Sequence, residues 1–181
     1  MALSSTIFKV DIDLSNFNSQ YYENFNLTMA KHPSEHEERM MFRLLAFLYC
    51  AHPDLQFTKG LSTTEEPELW QKDYSGDILQ WIELGLPDVK RIRQASGKSR
   101  SVKVFTYQPN QAHQWYQSNK SDLAKITKLE VYHLNIVENG PLDKIVSKSM
   151  KLGCIIEDQL MYLSNDDERV TIKVESLKSL D

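Results

Sequence analysis

Glu83 closes a β-type run, Leu79-Gln80-Trp81-Ile82-Glu83-Leu84, that breaks at Gly85 and passes through Leu86-Pro87-Asp88 into a short basic helix. A carboxylate at the end of a strand, among apolar neighbours, is where a metal-dependent phosphodiesterase keeps a ligand. Two residues on, where such an enzyme usually presents a lysine, this chain has glycine. Cations stand close by instead, at Lys90, Arg91 and Arg93. From Val89 to Ser121 there is no acid, yet the stretch carries Lys90, Arg91, Arg93, Lys98, Arg100, Lys103 and Lys120, interleaved with Phe105, Tyr107, Trp115 and Tyr116. Basic groups neutralise phosphates and exposed rings stack on bases, so this segment is a candidate nucleic-acid surface. The competing interpretation makes the rings core and the cations a solvated face, and for Phe105 and Trp115 that one is favoured.

Hydrophobic periodicity supplies the elements that must hold these residues. Thr6–Leu14 alternates as a half-buried strand, Ser15–Ser19 forms a turn, and Tyr22–Ala30 returns as a second strand. Pro33 and Ser34 open a helix, with Ser34 and Glu37 fitting a capping box, and it stops before Pro53. Strands follow at Leu55–Lys59, Pro67–Gln71 and Asp77–Leu84. Pro87 and Asp88 then begin a helix that ends near Gly97. Ser101–Tyr107 is again a strand, and strand–helix–strand argues for a parallel pair with a right-handed crossover. A helix over Pro109–Lys120 and a strand over Leu129–Leu134 come next. Short strands at Leu152–Ile156, Leu160–Leu163 and Val170–Val174 read as an antiparallel meander. The expected fold class is α/β (α+β) in one domain over residues 1–181, with a mixed sheet, an added N-terminal hairpin and C-terminal antiparallel strands.

Composition narrows the classes. A chain of 181 residues, 41% hydrophobic, is long enough for one well-buried core, and a net charge of −4 makes the whole protein no obvious polyanion binder. No apolar run is long enough to span a membrane, and no signal peptide is visible, so a cytoplasmic protein without membrane association is expected. Cys50 and Cys154 lie in apolar surroundings and read as reduced core residues. The histidines are scattered, and no nucleophile elbow, phosphate loop or dinucleotide fingerprint is present.

The order helix, strand, strand, strand, helix, strand resembles the αβββαβ core of the PD-(D/E)XK, or restriction-endonuclease-like, nuclease superfamily. On that resemblance Pro67-Glu68 stands where the superfamily places its first strand acid, and Glu83-Leu84-Gly85 stands where it places acid, apolar residue and lysine. The whole chain is also similar to the bacterial YaeQ family. That likeness is carried by His32-Pro33-Ser34-Glu35, Glu38-Arg39-Met40-Met41, Leu55-Gln56-Phe57, Glu66-Pro67, Leu69-Trp70 and Trp81–Asp88. The resemblance implies a site of Glu68 and Glu83 as metal ligands, joined by Glu38 from the first helix. Arg91, or else Lys90, would stand in for the missing lysine. Magnesium fits the class, because it takes hard oxygen ligands, keeps several waters and can activate one of them beside a phosphate. Without the resemblance, Glu83 reads as a strand-end acid held by an arginine, and Glu68 as a solvated loop residue.

Three functions compete. The first is a nucleic-acid-associated protein on a nuclease-like fold that is weak or inactive in catalysis, binding through Arg91, Arg93, Lys98, Arg100 and Lys103. The second is an active magnesium-dependent nuclease. The third is a protein-interaction module, an accessory to transcription, using the acidic turns Glu157-Asp158 and Asp166-Asp167-Glu168. Oligomeric state is not set by the sequence.

Overall fold

The computed structural model describes residues 3–180, and the fold is mixed α/β and mostly sheet. Its chain divides into two compact units. One holds the described residues up to Tyr49 together with Asn135–Val174; the other holds Cys50–Leu134 and the chain from Glu175 onward. None of the described helices is long and apolar enough to cross a membrane.

In the first unit, strand β1 (Thr6–Asn16) pairs antiparallel with β2 (Tyr21–Lys31), and helix α1 (Glu37–Tyr49) follows. Strands β8 (Ser149–Glu157), β9 (Leu160–Ser164) and β10 (Arg169–Lys178) form the expected antiparallel meander. The strand order here is β2-β1-β8-β9-β10. The N-terminal hairpin is therefore no appendage: β1 runs parallel to β8, from Lys9 opposite Ser149 to Asn16 opposite Ile156. No local pattern announces a pairing between segments so distant in sequence. Phe8, Val10, Ile12 and Leu14 alternate into the core, as the period of two requires.

Helix α1 is buried along Met40–Leu48, so its apolar stripe has widened to the full circumference. It begins at Glu37, with the amide of Met40 bonded to the carbonyl of His36, and not at Pro33 or Ser34. The capping box is not made. Ser34 instead turns its amide and hydroxyl to Nδ1 of His32, at 3.1 and 2.6 Å. Glu35 points inward, where its two oxygens take Arg39 at 2.8 Å and Arg43 at 2.9 Å. Arg43 is itself buried and also donates to the carbonyl of Ala30 at 3.0 Å.

The second unit carries β3 (Leu55–Phe57), β4 (Leu69–Lys72), β5 (Ile78–Leu84), helix α2 (Val89–Lys98), β6 (Ser99–Thr106), helix α3 (Ala112–Leu123) and β7 (Leu129–Glu138), whose first half belongs here. The order is β7-β6-β5-β4-β3. β4 is antiparallel to both β3 and β5, whereas β5, β6 and β7 run parallel. The expected parallel pair of β5 and β6 is thus present. Trp81, Ile92, Ala95, Val102, Val104, Leu129 and Val131 join in one buried cluster beneath α2 and α3. Asp88 is the N-cap of α2, its carboxylate accepting the amide of Arg91 at 2.8 Å, so Pro87 lies outside the helix and not at its first position.

Removing Glu35 would take away the carboxylate that pairs with the buried Arg43 at 2.9 Å. Glu35→Ala is expected to cost about 3–5 kcal/mol in denaturant unfolding, the range for breaking a buried pair from one side. A loss below about 1 kcal/mol would mean that the triad is not holding α1 to β2.

A carboxylate pair closed by an arginine

The second unit brings Glu68, Glu83 and Arg91 together. Leu69 lies opposite Ile82 in the antiparallel register of β4 and β5, and Glu68, just before it, is near enough to Glu83 for its charge to act on that carboxyl. The amide of Glu68 donates to the carbonyl of Ile82 at 3.0 Å and closes that end of the ladder. Both glutamates are buried, at 6% and 4% exposure. Glu68 is therefore not the solvated loop residue of the bland reading.

Glu83 and Trp81 share a face of β5, as alternation predicts, and the indole Nε1–H donates to Glu83 Oε1 at 2.7 Å. Arg91, on the first turn of α2, donates its Nε–H to the same oxygen at 2.8 Å. The rest of the guanidinium is also engaged. One terminal nitrogen donates to the carbonyl of Thr64 at 2.8 Å and the other to the carbonyl of Glu66 at 2.9 Å. Those carbonyls belong to the loop between β3 and β4, whose neck is tied where the Thr58 hydroxyl bonds the carbonyl of Pro67. Within the same loop the amide of Gly60 returns to the Thr58 hydroxyl at 3.0 Å. Gly60 has φ +50, and a Cβ there would come within 3.1 Å of Glu68 Oε2, so a bare backbone is needed beside that carboxylate.

Burial raises the pKa of Glu83 above the ordinary carboxylate value. The bonds from Trp81 and Arg91 and the charge of Arg91 oppose that rise, and the nearby Glu68 adds to it. Gly85 lies beyond the end of β5 and does not continue the alternation of Trp81 and Glu83. With φ +99 it occupies backbone space that L side chains rarely adopt, and its amide turns to the carbonyl of Phe105 at 2.8 Å. A lysine is sterically disfavoured there by the backbone itself.

The arrangement suits an arginine better than a divalent ion. Two carboxylates and a phosphate are enough protein help for magnesium. Here, however, Glu83 Oε1 already accepts two N–H donors, and the guanidinium supplies the positive charge beside it. Among the described residues, no group of three or more His, Cys, Asp or Glu side chains is placed to hold a metal. Glu38 sits half-buried on α1 in the first unit.

The acid-free stretch of sequence is not acid-free in space. Arg93 pairs with Asp122 at 2.7 Å, Lys98 with Glu65 at 3.6 Å, and Arg100 with Asp77 at 3.3 Å and Asp73 at 3.6 Å. Lys103 is not on an open face: its ammonium lies 3.1 Å from Gln80 Oε1 and 3.3 Å from Glu130 Oε2, tying β6 to its two neighbours. Lys90, Arg93, Lys98 and Arg100 do remain exposed. Arg100 and Lys98 border an open cleft of about 340 Å³ with Asp77 and Gly97. Phe105 is core, stacked on Tyr132 with centroids 5.3 Å apart, and the Trp115 indole is spent on the carbonyl of Pro87.

A second polar cluster has no sequence signal. His133, buried at the end of the β6–β7 register, meets the Thr106 hydroxyl through Nδ1 at 2.9 Å. It packs edge-on against His113 with centroids 5.1 Å apart, and His113 Nε2 contacts Glu175 at 2.9 Å. Burial lowers the pKa of His133, and the neighbouring His113 lowers it further. The cysteines are free, and burial pushes both thiols up to about 12, which leaves them inert.

Fold and site together define a mixed α/β protein with a buried carboxylate pair closed by an arginine at the end of a parallel strand. The family described as YaeQ protein matches residues 1–174, and the chain belongs to that family. It is 37% identical over 174 residues to the YaeQ proteins of Escherichia coli (strain K12) and Salmonella typhi, covering 96% of this chain and of each relative. The crystal structure of YaeQ from Xanthomonas axonopodis pv. citri is similar with a TM-score of 0.91 at 32% identity, over 97% of this chain and 99% of that one. YaeQ from Pseudomonas syringae gives 0.88 at 26% identity, over 97% of both.

Two outcomes are expected for the carboxylate–arginine pair. Arg91→Ala strands a buried carboxylate and unties the loop, at a cost of about 2–3 kcal/mol; this falls under the fully buried range because the arginine is partly solvated. Arg91→Lys is expected to recover only part, since an ammonium cannot serve three acceptors in one plane. The second concerns pH. The folded-state pKa of Glu83 lies above the value of 4.5 that it has when unperturbed, so the folded protein holds this proton more tightly. Its contribution to stability is therefore full below pH 4.5 and declines as pH rises through the folded value. The melting temperature of the wild type relative to Glu83→Gln should fall on raising the pH from 4.5; a rise would contradict the assignment.

Proposed function

We propose that this chain is a nucleic-acid-associated protein built on a PD-(D/E)XK-like αβββαβ scaffold, with its former catalytic centre filled by Arg91. The observation that carries the reading is the bond from Arg91 to Glu83, made by a cation in the helix that follows the strand-end acid. The order α1, β3, β4, β5, α2, β6, with Glu68 near Glu83, supports the scaffold. Gly85 offers no lysine, and Arg91 is bound to three acceptors. An arginine keeps its proton and makes a poor base.

Binding would use the exposed cations Lys90, Arg93, Lys98 and Arg100. Their acidic partners reduce the charge of the patch, but exposed pairs are worth only about 0–1 kcal/mol each and can be exchanged for phosphate. The expected affinity is accordingly modest and falls with salt. The acidic turns support a protein-interaction role less well. The Asn18 side-chain amide donates to the backbone carbonyl of Asp158 and accepts from its amide, both at 2.8 Å, and Asn165 organises the other turn by accepting the amides of Asp167 and Glu168.

One observation favours the reading of an active nuclease, namely that two buried carboxylates lie near each other. It requires Arg91 to release Glu83 when substrate binds. The two readings separate in one experiment with single-stranded and duplex oligonucleotides. Salt-sensitive binding is expected, weakened about tenfold or more by the combined substitutions Arg93→Glu, Lys98→Glu and Arg100→Glu, with no cleavage in magnesium or manganese. Cleavage abolished by Glu83→Gln would establish the active reading instead. Binding indifferent to salt and to charge reversal would end the nucleic-acid assignment.

A further inference from the structure

We propose that the open edge of β2 pairs with the same strand of a second copy of this chain, continuing the sheet of the first unit across a two-fold axis at Leu27. This stands independently of the nucleic-acid reading. Among the described strands β2 is hydrogen-bonded to β1 alone and ends the strand order; on its other side the carbonyl of Ala30 accepts from Arg43 at 3.0 Å and the amide of Asn24 bonds Glu23 Oε1 at 3.1 Å, so the pairing rests on the outward amides and carbonyls of Asn26 and Thr28, on either side of Leu27. Such edges are templates for a further strand, and proteins commonly blunt them with proline, a bulge or a central lysine. β2 has none of these. Its 11 residues, Tyr-Tyr-Glu-Asn-Phe-Asn-Leu-Thr-Met-Ala-Lys, contain no proline, and its register with β1 runs unbroken from Tyr21 to Lys31.

Charge selects both the partner and the register. The strand carries two charged side chains, Glu23 and Lys31. A two-fold axis perpendicular to a sheet must pass through a residue, because opposite residues have to share a face. When it passes through Leu27, Glu23 of each copy stands opposite Lys31 of the other, and the strand complements itself at both ends. An axis through Asn26 would set Glu23 against Met29; one through Phe25 would set it against Leu27. With the axis at Leu27, Phe25 falls opposite Met29 on the core-facing side, Asn26 opposite Thr28 on the outer side, and the half-buried Leu27 meets its own copy. No like charges are opposed. Glu23 is exposed, and Lys31 has further donors beyond the one given to the carbonyl of Glu35 at 3.0 Å.

Sedimentation equilibrium over a wide concentration series tests the pairing. A reversible dimer is expected, weakened about tenfold by Glu23→Lys, which opposes like charges twice, and regained in the double reversal Glu23→Lys with Lys31→Glu. Circular dichroism and melting temperature check that each variant folds. Disulfide trapping supplies a second readout that does not depend on charge. Leu27→Cys should cross-link two copies on oxidation, whereas Tyr21→Cys, remote from the axis, should not. A monomer at every concentration, a dimer insensitive to Glu23→Lys, or a well-folded Leu27→Cys that fails to cross-link would each overturn the proposal.

Discussion

The guanidinium of Arg91 joins three pieces of backbone that would otherwise part. It fixes the carboxylate at the end of β5, it springs from the first turn of α2, and it holds the loop between β3 and β4 by two carbonyls. A buried carboxylate needs a partner, because an ionised group taken out of water without one costs more than the fold can spare. The planar fork of arginine meets three acceptors in one geometry, and the Asp88 cap sets the start of the helix that presents it. Glu83, the strand end and the helix start therefore form a single construction. The charge of the guanidinium is used here to close the unit.

The same constraint explains Gly85. The chain must turn sharply from β5 toward α2, and it does so with a left-handed residue whose amide reaches back to β6. A side chain at that point would meet no wall closer than 3.6 Å, so space is not the objection. Backbone conformation is. Gly85 is thus a turn residue, and the cation bonded to Glu83 comes from the helix that follows.

Much of this could be read before the structure. Alternation and helical spacing located the strands and helices to within a few residues, because each reports a local period. The parallel β5–β6 pair followed from the strand–helix–strand order, since parallel neighbours need a crossover connection. What could not be read depends on distance along the chain. The partners of Arg93, Lys98 and Arg100 come from Asp122, Glu65, Asp73 and Asp77, all outside the stretch whose lack of acids drew attention. β1 meets β8, and His113 meets His133 and Glu175, for the same reason. Ser34 and Glu35 mislead in another way. Their types fit a helix start, yet His32 claims the serine and two arginines claim the glutamate.

Family and fold agree over nearly the whole chain, so the scaffold is shared with the other YaeQ proteins. Whether Arg91 closes the carboxylate site or only rests there is decided at the Glu83 carboxyl carbon, followed by carbon NMR as a function of pH with and without magnesium. A closed site predicts titration above pH 4.5, unchanged by the ion. A fall in that titration point on adding magnesium, with the Arg91 side-chain signal released, would show that the metal displaces the arginine and would contradict this account.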